Sequence, residues 1–414
     1  MTRQLGMASR LLLLLVVFVG GAVVGATVAL LWMDDEPAAA ADVDPDRPAN
    51  LRQLDQLASL PYLSGVAPAH ERQRGVVEHD IDRSWPGLNF FNCSNRAAAY
   101  LIDMDGHKVF EWTAPSRSGT WKHAELLPDG DVLALIRGDR LMRVAPSGNV
   151  RWDYIARLHH DLCVTDEDLI FVLAHSVRRS SQLHPTVPVV NDEIHIVDLE
   201  FGHFHGKISI LDAILNSPFS YLLPASQDLE PTEAEAGLVL DVLHANHVEV
   251  FDGALESLSP LYRRGNILVS MRTINAIGII DPVAGRFIWM WGPTNVAQQH
   301  DPTLLDSGHI LLFDNGRRAS QVIEYDPLRQ RTVWRFAPLE GFYSEMRGSV
   351  QRLPNGNTLI TESDPGVVLE VTPDGDTVWR YLNPLTTPDG LREPIWRMTR
   401  YAAGDLGFLD ELPE

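Results

Sequence analysis

The sequence predicts an all-β protein, a six-bladed β-propeller with an N-terminal transmembrane helix, and a tryptophan repeat predicts the propeller. Several units end in a turn and then a strand that carries a tryptophan. Trp289, Trp334 and Trp379 are separated by equal intervals of 45 residues. Six units of four short strands can be counted in this way, and a period of roughly 40–50 residues with four strands is typical of a propeller blade. Stacking such units around a ring buries the faces that one unit leaves exposed.

An apolar run near the N-terminus predicts the membrane helix. Leu11–Met33 is almost continuously apolar and uncharged, which is long enough to cross a bilayer. Arg3 and Arg10 precede this run and acidic residues 34–36 follow it. The positive-inside bias therefore places the N-terminus in the cytoplasm and the propeller on the periplasmic or extracellular side of a single-pass membrane protein. A cleaved signal peptide, cut near Ala38–Ala41, is the alternative.

These signals divide the chain into an anchor (1–33), a tether (34–74) and a propeller (75–414). The first propeller unit is short of strands, and Trp396–Ala402 forms a strand without a unit of its own. We expect this strand to pair with the strands around Gly87–Trp112 and to close the ring. Three insertions are expected near 176–190, 208–243 and 254–264. The first reads as a polar loop and the second as partly helical; both are expected between blades, where they cap one face. The third lengthens the hairpin after His247.

Three units begin with a histidine that stands six residues before an acidic turn residue. These histidines are His123, His160 and His300. Side chains two residues apart share a face of a strand, so closing the repeats into a ring brings equivalent groups together around one axis. For His123 a structural hydrogen bond to a turn is the favoured interpretation. For His160 and His300 we expect a functional site.

Two further units carry other polar groups at this place. One has Asn246, with His244 two residues earlier, and the other has Ser349, with Arg347 two residues earlier. For Arg347 an anion-binding role and a surface role are equally compatible with the sequence. A ring of imidazoles and guanidinium groups is typical of a site rather than of a core.

Charge and motifs exclude several function classes. The net charge of −21 argues against nucleic acid or an anionic membrane surface as a partner. The sequence contains neither a P-loop nor a GxGxxG motif that opens a helix, so no cofactor is expected. Six units rather than eight disfavour a quinoprotein. The two cysteines, Cys93 and Cys163, lack metal-ligand spacing; a disulfide and two buried thiols remain open.

Several motifs, in their order and spacing, resemble those of one family. They are RGVVEHDIDRSWPGLNFF, AYLIDMDGHKVFEW, LHHDL, HANHVEV, ILVSMRTINAIGIID, QHDPTLLDSGHILLFDNGRR and LPNGNTLITES. Over roughly Gly75 to Pro384 the chain resembles the arylsulfotransferase family, the PAPS-independent sulfotransferases built on a six-bladed propeller. In that family a histidine takes the sulfuryl group from an aryl sulfate and then passes it to a phenol.

The resemblance implies a role for each matching residue. His300 of QHD matches the nucleophile. His160, His244 and Arg272 match the groups that hold the sulfuryl oxygens, with His159 as the alternative to His160. Cations and hydrogen-bond donors of this kind stabilise the negative charge of a transferring sulfuryl group. A zinc site made by the same histidines is disfavoured because Arg272 would repel the cation.

Three further residues are candidate substrate-binding groups. Asn315 falls at the same repeat position as Arg272, since each stands seven residues after a turn glycine. Asn246 and Arg347 occupy the repeat positions described above. The chain departs from the family's usual pattern at His247, where a small hydroxyl residue is more usual. It also departs in the insertion near 254–264, which separates His244 from Arg272 by more than expected.

Two functional hypotheses follow. The first is a membrane-tethered aryl sulfotransferase that takes a small aryl sulfate and a phenol and needs no metal or cofactor. The second is a non-catalytic propeller subunit that docks in a membrane protein complex through its helix and its insertions. A homo-oligomer is a further expectation under either hypothesis.

Overall fold

The computed structural model describes residues 73–114, 119–225, 228, 230–234 and 237–411. The described strands, in chain order, are β1 Gly75–His79, β2 Leu88–Cys93, β3 Ala98–Ile102, β4 Lys108–Thr113, β5 His123–Leu126, β6 Val132–Ile136, β7 Arg140–Val144, β8 Val150–Ile155, β9 Leu158–Val164, β10 Leu169–Arg178, β11 Val189–Asp198, β12 Phe204–Ser209, β13 Thr232–Ala234, β14 Gly237–Val239, β15 Ala245–Val250, β16 Ile267–Met271, β17 Ala276–Asp281, β18 Arg286–Trp291, β19 His300–Leu304, β20 Ile310–Asp314, β21 Gln321–Asp326, β22 Arg331–Phe336, β23 Ser349–Arg352, β24 Thr358–Glu362, β25 Val367–Val371, β26 Thr377–Leu382 and β27 Ile395–Tyr401.

Helical structure in the described part of the chain is limited to short pieces. One α-helix, α1, spans Ile210–Leu215, and 3₁₀ turns span Ser220–Leu222, Pro260–Tyr262, Ala403–Asp405 and Gly407–Glu411. The Ser209 hydroxyl caps α1 by accepting a hydrogen bond from the backbone N–H of Asp212 at 3.0 Å.

Six antiparallel sheets form the blades of a propeller, as the sequence predicted. In order from the axis outward they are blade 1 (β27-β2-β3-β4), blade 2 (β5 to β8), blade 3 (β9 to β12), blade 4 (β15 to β18), blade 5 (β19 to β22) and blade 6 (β23 to β26, with β1 outermost). Innermost strands of successive blades contact one another from β9 through β15, β19 and β23 to β27. Blade 2 joins the ring on both sides, because β2 contacts β5 and β6 contacts β9. The described strands therefore make a closed ring.

Strands from the two ends of the described chain complete the ring. β27 pairs antiparallel with β2, with Leu88 opposite Tyr401 and Phe91 opposite Met398. Blade 1 thus takes its innermost strand from residues 395–401, which is the pairing that the sequence predicted. At the other end, β1 adds a fifth strand to the outer edge of blade 6.

The repeated tryptophans join neighbouring blades. Each lies on the fourth strand of its blade, counted from the axis, and the indole N–H of four of them donates to a turn carbonyl of the next blade. These hydrogen bonds run from Trp112 to Gly130 (2.8 Å), from Trp152 to Leu199 (3.1 Å), from Trp334 to Pro373 (2.7 Å) and from Trp379 to Met104 (2.8 Å). The periodic tryptophans are therefore packing groups between blades.

One insertion differs from the prediction. Strands β10 and β11 remain paired up to Arg178 opposite Val189, so the loop is confined to 179–188 and lies within blade 3. The polar, proline-containing composition of this insertion indicates a loop. It does not distinguish a loop at the end of a hairpin from a loop that connects two blades. The insertion near 208–243 does link blade 3 to blade 4, and it contains α1 and the β13-β14 hairpin. The insertion near 254–264 lies in the β15-β16 hairpin.

The predicted anchor at 1–33 and all but the last two residues of the tether lie outside the described residues. Among the residues that are described, no helix has the length and apolar character needed to span a membrane. Cys93 and Cys163 are both free thiols, and burial raises the pKa of each to about 12.

Candidate functional site

Bulges in the innermost strands place the polar groups on the axis. β9, β15, β19 and β27 each shift register against their neighbour, whereas β5 and β23 pair in continuous register. A bulge inserts one extra residue and re-aims the side chains around it. Consecutive residues therefore both contribute to the axis, as in the pairs His160-Asp161, His300-Asp301 and Trp396-Arg397.

His123 does not lie level with His160 and His300, which corrects the prediction from the repeat. Because β5 has no bulge, His123 is one step further along the axis, and its Nε2 lies 3.5 Å from Oδ1 of Asp161. Ser349 on β23 is displaced in the same way. The three histidines have equal spacing to an acidic turn residue, but this spacing does not show whether the strand contains the extra residue of a bulge. It was therefore a misleading guide to their positions along the axis.

The imidazole of His300 is held in one tautomer. Its Nδ1 lies 2.9 Å from the carbonyl oxygen of Gln298 and 2.7 Å from Oδ1 of Asn315. Nδ2 of Asn315 donates to the carbonyls of Ser344 (2.8 Å) and Arg347 (2.9 Å), so its oxygen faces the imidazole. A carbonyl oxygen only accepts hydrogen bonds. The hydrogen of His300 is therefore on Nδ1, and Nε2 carries the lone pair.

His300 is also neutral at ordinary pH. Burial lowers its pKa to about 3, and the positive charge of Arg272 acts in the same direction. A neutral imidazole with its lone pair on Nε2 is a competent nucleophile, whereas an imidazolium is not.

His244 has the opposite charge state because it is paired with Asp241. Its Nδ1 lies 2.6 Å from Oδ2 of Asp241, and its backbone N–H donates to Oδ1 at 2.9 Å. Burial lowers the pKa of His244, but the charge and the hydrogen bond of Asp241 outweigh burial and raise the pKa above its ordinary value. The same pairing lowers the pKa of Asp241 to about 2, against the effect of burial. The pairing with Asp241 therefore favours the protonated form of His244, which can donate a proton.

His160, rather than His159, faces His244. The His160 and His244 ring centroids are 5.0 Å apart, whereas Nε2 of His159 is turned toward Asp192 at 3.4 Å. The two neighbouring histidines share a hydrogen between their Nδ1 atoms at 2.8 Å. Burial lowers the pKa of both well below the ordinary range, and His175 and His244 act in the same direction. Both rings are therefore neutral.

Cations surround the neutral imidazoles. Arg272 follows β16 directly, and its backbone N–H donates to the carbonyl of His244 at 3.1 Å. Arg347 lies 3.5 Å from a carboxylate oxygen of Asp364. The positive charge of Arg272 reaches both His300 and His244, since it acts to lower the pKa of each. Such a site suits an anion with oxygen atoms that accept hydrogen bonds.

Asn246 lies at the same height but has a different environment. Its Nδ2 donates to the carbonyl of Gln299 at 2.9 Å, and the hydroxyl of Ser270 donates to the same carbonyl at 3.2 Å. Asn246 therefore links blade 4 to blade 5.

Two residues of the site escaped the sequence analysis. Asp241 stands three residues before His244, and an acid next to the histidine motif was a signal that could have found it. Trp396 comes from the closing strand, with its ring centroid 6.2 Å from that of His160 and the guanidinium of Arg347 5.3 Å from its centre. Its contacts depend on ring closure, so no local sequence pattern indicates them.

One family match and several distant structural similarities relate the chain to known proteins. A family model described as arylsulfotransferase (ASST) matches residues 123–384. No curated protein sequence matches the chain significantly. Similar solved structures include a protein of unknown function from Bacteroides caccae (TM-score 0.49, 12% identity, 76% of this chain and 99% of the other) and AztD from Citrobacter koseri (0.41, 10%, 77% and 99%). BamB from Moraxella catarrhalis is a further example (0.34, 10%, 73% and 75%).

These structural similarities are distant, and the propeller assignment rests on the strand order of this chain. The family match is different in kind, because it covers more than half of the sequence and includes the segments that carry His160, His244, Arg272 and His300. The chain belongs to the arylsulfotransferase family.

Proposed function

We propose that this protein is an aryl sulfotransferase that moves a sulfuryl group from an aryl sulfate to a phenol through a sulfated His300. The observation that carries this proposal is the charge state of the site. His300 is neutral with its lone pair on Nε2, and it lies among Arg272, the His244 imidazolium and the neutral His160. A nucleophile, an acid and a permanent cation are thus present together.

In the first step, Nε2 of His300 attacks the sulfur of the aryl sulfate. The new N–S bond forms as the S–O bond to the aryl group breaks, and the leaving oxygen takes the proton of His244. Arg272 and His160 stabilise the sulfuryl oxygens. The products of this step are a free phenol, a sulfated His300 and a neutral His244.

The second step reverses these roles with a different phenol. Its hydroxyl proton passes to the neutral His244, its oxygen attacks the sulfur, and the N–S bond breaks. The electron pair of that bond returns to Nε2 of His300. Both steps balance without a redox partner or another co-reactant.

We further propose that residues 11–33 anchor the enzyme, with the N-terminus in the cytoplasm and the propeller on the periplasmic or extracellular side. The apolar run and its flanking charges support this arrangement. Protease added to cells whose outer layers have been removed but whose plasma membrane is intact should digest the propeller of the full-length protein. Digestion only after the plasma membrane is opened would contradict the orientation.

The catalytic proposal is tested on the full-length protein purified in detergent. Wild type is incubated with 4-nitrophenyl sulfate and a phenol acceptor, beside His300→Ala and the control His309→Ala. His309 belongs to the same hairpin but pairs with Glu324 at 2.7 Å, away from the site. We expect acceptor-dependent release of 4-nitrophenol from wild type and the control, and none from His300→Ala.

Mass spectrometry of wild type quenched without acceptor should find the sulfuryl group on the peptide that contains His300. Equal turnover by His300→Ala would overturn the mechanism. Inactivity of wild type with several aryl sulfates, together with a companion subunit that copurifies, would favour the non-catalytic alternative.

A further inference from the structure

A layer of charged groups lies directly beyond the proposed catalytic histidines on the propeller axis. Asp161 follows His160 and Asp301 follows His300 in the sequence. One nitrogen of Arg397 lies 3.1 Å from Oδ1 of Asp161 and 2.6 Å from Oδ1 of Asp301. A single guanidinium from blade 1 therefore joins the two acidic residues that adjoin the proposed catalytic imidazoles of blades 3 and 5.

The backbone at both places is strained. His160 has φ of 53° and Asp301 has φ of 52°, in the left-handed region that residues other than glycine seldom occupy. Such conformations persist where the surroundings hold them, and they cluster at functional sites. At these two places the backbone is held by the hydrogen bonds and ion pairs of the Asp161 and Asp301 carboxylates. Besides Arg397, the backbone N–H of Val248 donates to Asp161 at 3.3 Å, and that of Val350 donates to Asp301 at 2.8 Å.

Arg397 offsets much of the negative charge of the layer. His247 is the other cation, with Nδ1 at 2.7 Å from Asp161 and 3.5 Å from Asp301. Burial lowers the pKa of His247, but the two carboxylates outweigh it and raise the pKa above its ordinary value. Burial also acts to raise the pKa of Asp161, yet Arg397 and His247 hold it well below its usual range. Without Arg397, one imidazolium would face two buried carboxylates that repel each other.

We propose that Arg397 is a positioning residue for sulfuryl transfer: by holding Asp161 and Asp301 together, it fixes the two strained bulges that aim His160 and His300. This inference rests on the proposed function for its kinetic test. Arg397 lies beyond residues 123–384, the part of the chain that matches the family model. Its partner His247 stands where the sequence departs from the family's usual pattern.

The bulge of β19 connects Arg397 to the imidazole of His300. Nδ1 of His300 donates to the carbonyl of Gln298, which belongs to the same segment of chain. When Asp301 relaxes toward an ordinary backbone conformation, the ring of His300 turns relative to Gln298 and Asn315. A displacement of about 1 Å at a reacting group can lower the rate roughly 100-fold, even when its cause is distant.

Arg352 provides a matched control. Arg352 and Arg397 both line a cavity of about 980 Å³, whose lining includes Asp161 and Asp301 but not His300. The partners of Arg352 are Glu324, at 2.7 Å, and the ring of Trp334, at 5.1 Å, so it touches neither bulge. Arg352→Gln and Arg397→Gln both remove one guanidinium from this cavity, and only Arg397→Gln removes the link between the bulges.

The kinetic test compares Arg397→Gln, Arg397→Lys and Arg352→Gln in the full-length protein with 4-nitrophenyl sulfate. For Arg397→Gln we expect kcat to fall roughly 10- to 100-fold with less than about a threefold change in KM, because the anion-binding groups remain. Arg397→Lys keeps the charge and should recover part of kcat. Arg352→Gln should retain the wild-type kcat. Equal losses in Arg397→Gln and Arg352→Gln, or a loss confined to KM, would overturn the proposal.

A second measurement does not depend on turnover. The ring nitrogens of ¹⁵N-labelled histidine have chemical shifts that report the tautomer, and His300→Ala assigns the signals of His300. We expect one tautomer in wild type and Arg352→Gln, and a mixture in Arg397→Gln and, to a smaller extent, Arg397→Lys. Unchanged His300 signals in both Arg397 variants would overturn the proposal even in an inactive protein. Failure of the proposed function would instead appear as an inactive wild type with the expected shifts.

Discussion

The side-chain oxygen of Asn315 lies 2.7 Å from Nδ1 of His300, and this contact helps to decide which nitrogen of the imidazole is reactive. Asn315 is itself held by two carbonyls through its own N–H groups, so its orientation is fixed. An acceptor on Nδ1 keeps the hydrogen there and leaves the lone pair on Nε2. The nucleophile is thereby prepared before the substrate arrives.

Replacing Asn315 with alanine should lower kcat. The carbonyl of Gln298 still accepts the Nδ1 hydrogen, so we expect a partial loss of roughly 10- to 100-fold, as is usual for residues that orient a reactive histidine. Steady-state kinetics with 4-nitrophenyl sulfate measures this loss, with Asn295→Ala as the control on the outer edge of the propeller. An unchanged kcat would mean that Gln298 alone holds the tautomer.

Replacing Asp241 with asparagine should change the pH dependence. In wild type the pKa of His244 is raised above its ordinary value, so its proton is held to higher pH than that of a free imidazole and is lost as pH rises through the raised pKa. His300, with a pKa of about 3, loses nucleophilicity only in strong acid. Activity should therefore fall on the alkaline side, and Asp241→Asn should move this fall to lower pH. A profile of kcat/KM against pH tests the prediction, and an alkaline limb that stays in place would contradict it.

Replacing Trp396 with alanine should weaken the binding of the aryl group. Its ring is partly exposed beside His160, and an aromatic contact contributes about 1 kcal/mol beyond area burial, which corresponds to roughly a fivefold increase in KM. Inhibition by inorganic sulfate should not change, because the anion-binding groups remain. Trp334→Ala is the control, since it too has an arginine over its ring but lies on the outer strand of blade 5. Equal effects of both variants would argue against an aryl contact.

Acid should destabilise the protein through its buried neutral histidines. His123 is fully buried with a pKa of about 3, while the unfolded chain binds a proton near the ordinary value of about 6.5. The unfolded state therefore binds more protons below about pH 6.5, and the free energy of unfolding falls as pH falls toward 3. His123→Phe should make this dependence shallower by up to about 1.4 kcal/mol per pH unit. Urea unfolding at pH 4, 5 and 6 compares the slopes; an identical slope would contradict the assignment of a neutral His123.

The fold followed from the sequence because its determinants are periodic. Tryptophans such as Trp334 and Trp379 recur because each must reach the next blade, and the repeat records that requirement. The strand that closes the ring was predicted because Trp396–Ala402 reads as a strand but belongs to no repeat unit. The proposed roles of His160, His244, Arg272 and His300 came from motif resemblance, and the structure brings these four residues to one end of the axis.

What the sequence could not predict depends on contacts between distant segments. His123 lies away from the position that its spacing indicated because β5 lacks the bulge that β9 and β19 carry, and a count of residues to the turn does not show whether a strand contains that extra residue. Trp396 and Arg397 meet His160 and Asp301 only after the ring has closed. The charge of His244 depends on Asp241, and the tautomer of His300 on Asn315.

The position of β27 has a consequence for biosynthesis. Until residues 395–401 have emerged from the ribosome, β2 offers an unpaired edge to any neighbouring strand, and such edges promote aggregation. The nascent chain also lacks Trp396 and Arg397, so a partly made propeller holds its histidines without the groups that face them. A premature stop codon before residue 395 should therefore abolish the protein altogether rather than yield a shortened product with reduced function.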